Sequence, residues 1–139
     1  MTSTDGSGGN GWYYRLANNE KILASADVFD GTVFSTSFTP AVTVTCDGAG
    51  TARLYAVQAG TGYGALDWPT GEKLPSSDSS EPRSVIVGSG IPGKPAIVTT
   101  ITNGIAETKV VTGTSDNQLV DQTVDPVPLK RILFWREVF

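Results

Sequence analysis

Short runs in which apolar and polar side chains alternate recur along the chain. In residues 21–28 every second position is apolar, so that Ile22, Ala24, Ala26 and Val28 share one face of the strand. Residues 95–102 repeat the alternation, with Ile97, Thr99 and Ile101 on one face. A period of two residues is typical of a half-buried β-strand. Since no stretch longer than about ten residues combines helical spacing with a preceding capping residue, the sequence predicts an all-β protein with about ten short strands.

Turn signals separate these runs. Asp30-Gly31 and Asn103-Gly104 each lie between two β-favouring stretches, which is the strongest short-range indication of a β-hairpin. Residues 69–83 contain three prolines and few apolar side chains. We expect them to form an exposed loop, because prolines and small polar residues interrupt both helices and strands.

The chain divides into a flexible N-terminal segment, residues 1–10, and a single β domain, residues 11–139. Within the domain two units resemble each other, the first at about residues 11–68 and the second at residues 84–139. Each unit runs from an alternating strand through Gly-containing turns to a closing strand that carries a tryptophan. Four antiparallel strands form one blade of a β-propeller, so we expect about two such blades.

The tryptophans near the ends of these units are Trp12, Trp68 and Trp135. We expect their large rings to pack between blades, because aromatic side chains bury more apolar area than most others. Carbohydrate stacking is the alternative role. The alternative to a repeat is that three tryptophans of a β-rich chain simply fall in strands.

Composition excludes several kinds of chemistry. The 139 residues include no histidine and one cysteine, so this chain alone cannot build a Ser-His-Asp triad, a His-ligated zinc site or an internal disulfide. A net charge of -4 argues against nucleic-acid binding, which needs a concentrated basic surface. No apolar run approaches the roughly 18 residues that a membrane-spanning helix needs. These patterns predict a protein that is not an enzyme.

Several motifs together resemble a known family. Residues 11–16 (GWYYRL), Cys46-Asp47-Gly48 ahead of residues 54–57 (LYAV), and the closing run 131–137 (RILFWRE) occur in that order. They are similar to the C-terminal β-propeller of the PilY1 family, the type IV pilus assembly and tip-associated adhesins, and the resemblance spans residues 11–139.

This resemblance implies a non-catalytic structural or adhesion module that supports pilus assembly and surface attachment. It implies a location at the cell surface or pilus, reached by export through the periplasm. Its implied partners are minor pilins or other pilus subunits, or the rest of a propeller chain. Calcium-binding loops occur in the wider family, but the nearest match here, residues 5–10, offers too few carboxylates. We therefore expect no cofactor and no metal in this chain.

Two blades are expected to be incomplete alone, because propellers protect their sheet edges by closing the ring. The chain is then a piece of a longer protein, a subunit completed by a partner, or a domain that collapses into a compact sandwich. Strand addition at an open edge is the expected mode of completion. The terminal segment, residues 130–138, is the strand that we expect to take part in it.

Three further residues are candidates for roles at an interface. Arg131 and Arg136 flank the apolar terminal strand, where they would keep its edge soluble or pair with acidic residues of a partner. Cys46 lies in a polar loop beside Asp47. Its two interpretations are an inert thiol and one half of a disulfide whose other half lies outside this chain.

Two other functions remain open at this point. The first is a β-rich subunit of a surface filament or envelope complex that is unrelated to adhesion. The second is a fragment of a quinoprotein-like dehydrogenase, since residues 54–68 resemble the "LYALDAxTG…LxW" unit of those propellers. The resemblance to dehydrogenases would imply a vicinal disulfide, Ca²⁺ and a catalytic Asp, and the single cysteine makes this function less favoured.

Overall fold

The computed structural model describes residues 11–43, 50–78 and 82–124. In these ranges every regular element is a β-strand and no helix occurs. The strands are β1 (Lys21–Ile22), β2 (Asp27–Phe29), β3 (Thr32–Thr39), β4 (Thr51–Gln58), β5 (Ser84–Ser89), β6 (Ala96–Thr102), β7 (Ile105–Gly113) and β8 (Leu119–Val124). The prediction of an all-β protein is therefore confirmed.

The described strands form two antiparallel sheets that do not close. The large sheet has the order β1-β3-β4-β5, with β2 also paired to β3, and the small sheet has the order β6-β7-β8. β1 and β2 pair with successive parts of the same edge of β3, because Lys21 faces Phe38 whereas Asp27 faces Phe34. In the described residues the sheets thus hold five strands and three strands, so a pair of four-stranded propeller blades is not confirmed.

Both predicted hairpin turns are present. Asp30 and Gly31 connect β2 to β3 with φ of 46° and 72°, and Asn103 and Gly104 connect β6 to β7 with φ of 53° and 78°. Positive φ at both central residues defines the type I′ turn, whose twist matches that of the flanking strands. These turns follow from local chemistry, since Asp and Asn tolerate this backbone region better than other residues that carry a Cβ.

The hydrophobic core lies between one face of the large sheet and the small sheet. Alternate residues of β3 and β4, including Phe34 and Leu54, are fully buried and meet Val110 and Val124 of the small sheet. The segment that follows β4 adds Leu66 to the same core. Alternation along β3 and β4 therefore directs one set of side chains toward the small sheet.

The opposite face of the large sheet is covered by the segment that precedes β1. The ring of Trp12 lies against Gly62, where an added Cβ would come within 2.5 Å of it, and Trp12 Nε1 donates to the Ala59 carbonyl at 2.8 Å. Tyr14 packs against Tyr55 of β4 with ring centroids 5.3 Å apart. Both faces of the central strands are thus buried, which accounts for the near-continuous burial of β4.

β5 belongs to a different sheet from the one that its sequence position suggests. Residues 84–89 open the second predicted unit, but β5 pairs with β4 in the large sheet, with a bulge opposite Ala52 and Arg53. Alternation of apolar and polar residues predicts a strand, but it does not predict which neighbouring strand it pairs with. Here Val87 turns into the core. The division of the strands into two propeller blades is accordingly not confirmed.

Neither described tryptophan lies in a closing strand. Trp68 lies in a turn, where its ring is part of the core and its Nε1 donates to the Pro82 carbonyl at 2.8 Å. Trp12 also lies outside the strands. Both rings are held by packing and by an indole hydrogen bond to a loop carbonyl, although only Trp68 is buried.

The loop after Trp68 is tied to the large sheet. Most of its described side chains are exposed, but Lys73 forms an isolated β-bridge with Leu66, and Leu74 N donates to the Ala65 carbonyl at 2.9 Å. The side-chain amide of Gln58 also donates to the Pro75 carbonyl at 3.1 Å. The beginning of the predicted loop, residues 69–83, therefore folds back on the sheet.

We expect Gly71→Ala to lower the free energy of unfolding by about 1–2 kcal/mol, because the position is strained for any residue that carries a Cβ. Gly71 has a φ of 75°, and an added Cβ there would approach the Thr123 carbonyl oxygen. Gly60→Ala is the matched control, since its Cβ would meet no atom within 4 Å. Urea unfolding of both variants measures the difference, and equal stabilities would contradict the close approach of this turn to β8.

Candidate functional site

A buried carboxylate joins the N-terminal segment to the large sheet. Glu20 is only 8% exposed, and its Oε1 accepts hydrogen bonds from Ser37 Oγ at 2.5 Å and from the Tyr55 hydroxyl at 2.6 Å. Its Oε2 accepts from Ala17 N at 2.9 Å, and Glu20 N donates to the Ala17 carbonyl. Both carboxylate oxygens are therefore satisfied without water, as a buried charge requires.

These contacts set the protonation of the cluster. Burial favours the neutral form of Glu20, but hydrogen bonds from Ser37, Tyr55 and Ala17, together with nearby Arg53, outweigh it and lower the pKa of the carboxyl. Burial, and then the hydrogen bond to Glu20, raises the pKa of Tyr55 to about 12. At neutral pH the cluster thus holds a carboxylate and a neutral phenol that donates to it.

A Ser next to a carboxylate also invites a catalytic interpretation, with Glu20 as base and Ser37 as nucleophile. Ser37 is fully buried, so a substrate would not reach its hydroxyl without displacing the covering segment. The arrangement instead matches that of a structural clasp, which we define as Glu20, Ser37 and Tyr55. Each of its groups has a partner, and together they fix the position of residues 11–20 on the sheet.

The stability of the protein should fall at acidic pH through the clasp. Because the pKa of Glu20 is lowered below 4.5 by folding, its contribution is complete above that value and is lost as pH falls through the lower pKa of the folded state. The measurement is urea unfolding from pH 7 to pH 3 for the wild type and for Glu20→Gln. The stability difference between them should shrink toward low pH, and a constant difference would contradict the lowered pKa.

The described residues contain no group of three or more acidic or cysteine side chains arranged to hold a metal ion. The closest ion pair of the described residues joins Lys73 Nζ to Asp30 Oδ2 at 2.7 Å, and a group of three charged side chains lies on the outer face of the small sheet. There Lys109 Nζ lies 3.1 Å from Asp121 Oδ2 and 3.4 Å from Glu107 Oε1. This surface triad pairs one ammonium with two carboxylates, so one negative charge stays unbalanced and the central part of β7 and β8 is polar.

Sheet edges form the other candidate site, because an unpaired edge is a template for another strand. The edge formed by β1 and β2 is interrupted and carries the charged residues Lys21 and Asp27. The end of β5 is covered by the loop after β7, since Ser89 Oγ donates to Asp116 Oδ2 at 2.6 Å and Ile91 N donates to Ser115 Oγ at 2.9 Å. Both edges of the large sheet thus have a protective feature.

The β8 edge is covered in part by the turn after Trp68. The Thr123 carbonyl lies so close to Gly71 that no Cβ fits between them. In addition, Gln122 Nε2 donates to the Trp68 carbonyl at 3.0 Å. Asp121 places a charge on the same strand. A further strand would have to displace this turn in order to pair along the whole of β8.

Within the described ranges β6 lacks a covering loop and a charge of its own, and outside the small sheet it lies near β2, at the base of the strand. Its seven residues, Ala96–Thr102, include no charged residue and no proline, and six of the seven are exposed. The strand pairs with β7 on one side only. Long, uncharged, β-branched edges are the type that pairs with other chains. We call this strand, with its outward backbone groups, the β6 edge.

The backbone groups available at the β6 edge follow from the hairpin register. A two-residue turn makes Thr102 and Ile105 a hydrogen-bonded pair, and such pairs alternate with non-hydrogen-bonded ones. The N–H and C=O groups of Ile97, Thr99 and Ile101 therefore point away from β7. These three residues also share one face of the strand, as the alternation of residues 95–102 predicts.

The tip of the β6–β7 hairpin extends beyond the core. Ile101 is 64% exposed and Ile105 is 71% exposed, and they lie on opposite faces of the hairpin. The base of the hairpin is held by an ion pair between Lys94 and Asp27 of β2, with the charged atoms 3.6 Å apart. The hairpin thus presents apolar side chains beside an unprotected edge, a combination typical of interaction surfaces.

The residues that the sequence singled out are only partly at this site. Trp12 and Trp68 stabilise the large sheet and its loops, far along the chain from the β6 edge. Cys46, Arg131, Trp135, Arg136 and the terminal segment 130–138 lie outside the described residues, as does the N-terminal segment 1–10. Sequence reasoning missed the edge and the clasp. The absence of charge over residues 95–102 was the available signal for the edge.

The fold and site together define an open, two-sheet all-β protein with one unprotected edge strand in its described part. Comparisons of this chain with protein-family models, curated proteins and solved structures gave no match. Among the described residues, no helix is long and apolar enough to cross a membrane.

Proposed function

We propose that this chain is a non-catalytic structural and adhesion module that joins other subunits by β-strand addition. The observation that carries the proposal is the β6 edge, which offers the outward backbone groups of Ile97, Thr99 and Ile101 without a protective charge. Main-chain hydrogen bonds supply affinity in this mode of binding, and alternate side chains supply specificity.

The resemblance of residues 11–139 to the PilY1 family supports a specific setting for the module. In this setting the chain acts as the C-terminal part of a type IV pilus tip-associated protein at the cell surface, and it supports pilus assembly and surface attachment. Minor pilins are the proposed partners. The surroundings of Glu20 support the non-catalytic part of the proposal, because its oxygens are engaged by Ser37, Tyr55 and Ala17.

A binding assay between immobilised chain and purified minor pilins tests this proposal. Thr99→Pro removes an N–H that points away from β7, so it should weaken pilin binding at least about tenfold while retaining the backbone hydrogen bonds between β6 and β7, although it loses the hydroxyl contact with Thr108. Leu119→Lys is the control, since this residue is exposed on β8. Failure of the wild-type chain to bind pilins, or equal binding by Thr99→Pro, would overturn the proposal.

The same edge also favours the second candidate function, a β-rich subunit of a surface filament or envelope complex. Immunogold imaging separates the two: label at the pilus tip supports the adhesion module, and label along a filament supports the subunit. The dehydrogenase alternative is tested by redox assays with added quinone and Ca²⁺. Turnover in those assays would overturn the non-catalytic part of the proposal.

A further inference from the structure

The residues of β6 form a nearly symmetric pattern about their centre. The strand reads Ala-Ile-Val-Thr-Thr-Ile-Thr, with Ile97 and Ile101 equally distant from Thr99. An antiparallel copy of the same strand, related by a two-fold axis at Thr99, would therefore place Ile97 opposite Ile101 and Thr99 opposite Thr99. Directly opposed β-branched side chains stabilise antiparallel pairs.

Backbone geometry and strand length together select this register. Residues whose N–H and C=O groups point away from β7 must pair with one another across the free edge, and in β6 these are Ile97, Thr99 and Ile101. An axis at Val98 or Thr100 also pairs such residues with one another, but it leaves one end of β6 without partner residues in the other copy of β6. The axis at Thr99 matches all seven residues.

Charge also favours a second copy of β6 at this edge. In a two-fold pairing a charged side chain on the axis would face the same charge of the other copy, and like charges directly opposite are destabilising. β6 carries no charge, whereas β8, the other edge strand of the small sheet, carries Asp121. Of these two described edge strands, β6 is the one that can meet its own copy without a charged residue.

We infer that the protein forms a two-fold homodimer in which the β6 strands of two copies pair about Thr99. The small sheets then join into one continuous sheet with the order β8-β7-β6-β6-β7-β8. This interface is isologous, as two-fold interfaces are. It contains a hydrogen-bonded ladder from the outward groups of both strands, and it covers Ile101 of each copy with Ile97 of the other.

The inference goes beyond the proposed function, because it needs no pilin and names a partner that the pilin assay does not detect. Self-pairing and partner binding would use the same β6 edge and so exclude each other. Covering this edge with a second copy would also protect an uncharged, β-branched strand from uncontrolled association.

Opposite charges placed on the symmetry axis give the sharpest test. Thr99 is exposed in the single chain, and its hydroxyl shares a hydrogen bond with that of Thr108, so Thr99→Lys and Thr99→Asp should both fold with a similar, modest loss of stability. Each variant alone places like charges on the axis and should dimerise at least about tenfold more weakly than the wild type. An equimolar mixture of the two should recover dimers, because Lys then faces Asp. Sedimentation velocity measures the association.

Ile105→Lys and Ile105→Asp are the matched controls. Ile105 is exposed near the same hairpin tip but lies on β7 and on the opposite face. These variants should dimerise like the wild type, alone and mixed. Thr99→Cys in a Cys46→Ser background gives an independent readout, since opposed residues of an antiparallel pair lie within disulfide reach. It should form a covalent dimer on mild oxidation.

Three results would overturn the inference. A wild-type chain that stays monomeric would show that the edge is not self-paired, whether or not a partner strand or another part of this chain occupies it. Thr99 variants that dimerise as strongly as the wild type would place the contact elsewhere. A mixture that fails to recover dimers, although each variant retains its far-ultraviolet circular dichroism, would exclude the two-fold register.

Discussion

Replacing Glu20 with alanine is expected to lower the free energy of unfolding by about 3 kcal/mol, because it leaves buried donors without an acceptor. Ser37 Oγ and the Tyr55 hydroxyl both donate to Glu20 Oε1, and both residues are at most 5% exposed. Ala17 N loses its acceptor as well. Removing the carboxylate therefore leaves three hydrogen-bond donors without this acceptor at the boundary between the N-terminal segment and the sheet.

Urea unfolding at pH 7 measures this loss. Lys21→Ala is the matched control, since Lys21 is the next residue and is exposed. We expect Glu20→Gln to be less destabilising than Glu20→Ala, because the amide oxygen still accepts a hydrogen bond while its NH₂ group faces a donor. If Glu20→Ala differed from the wild type by less than about 0.5 kcal/mol, the clasp would not stabilise the covering segment.

Replacing Phe34 with alanine should cost about 4 kcal/mol of stability, the largest effect that we predict for a single substitution. Phe34 is fully buried in β3 and belongs to the core that joins the two sheets. Truncation leaves a cavity at the centre of this core. Since small domains are stable by only about 5–15 kcal/mol, the loss is a large fraction of the total.

Comparing Phe34→Ala with Val28→Ala separates the effect of burial on stability from the effect of truncating any residue in a strand. Val28 lies on β2, which pairs with β3, but it is 61% exposed, so its truncation should change stability by less than about 1 kcal/mol. Phe34→Leu keeps most of the volume and should cost about 1 kcal/mol, which keeps the measurement informative if the alanine variant does not fold. Equal unfolding midpoints for Phe34→Ala and Val28→Ala would refute the proposed core.

The local sequence pattern predicts which residues of the β6 edge share a face, but it does not predict that β6 lies at an edge. The alternation of residues 95–102 predicts that Ile97, Thr99 and Ile101 share one face, and the register of β6 with β7 confirms it. That β6 would be an edge strand was not predictable. A strand lies at an edge when no other strand pairs with one of its two sides. Alternation within the strand gives no information about which strands pair with it.

The clasp shows the same limit over longer distances. Glu20 follows Asn18 and Asn19, a residue type that favours turns, and its partners Ser37 and Tyr55 follow 17 and 35 residues later. Nothing in the surrounding residues indicates that this carboxylate is buried. Its burial depends on residues 11–20 lying across the second face of the large sheet, which is a property of the assembled fold.

The sequence by itself determined the all-β class and the two type I′ hairpins, because a strand period and an Asx-Gly turn depend on neighbouring residues alone. Only the tertiary structure decided that β5 joins β4 and that Gly71 lies against β8. It also decided which described edge stays open. These features depend on contacts between distant segments, and packing and backbone hydrogen bonding select among pairings that the local pattern allows equally.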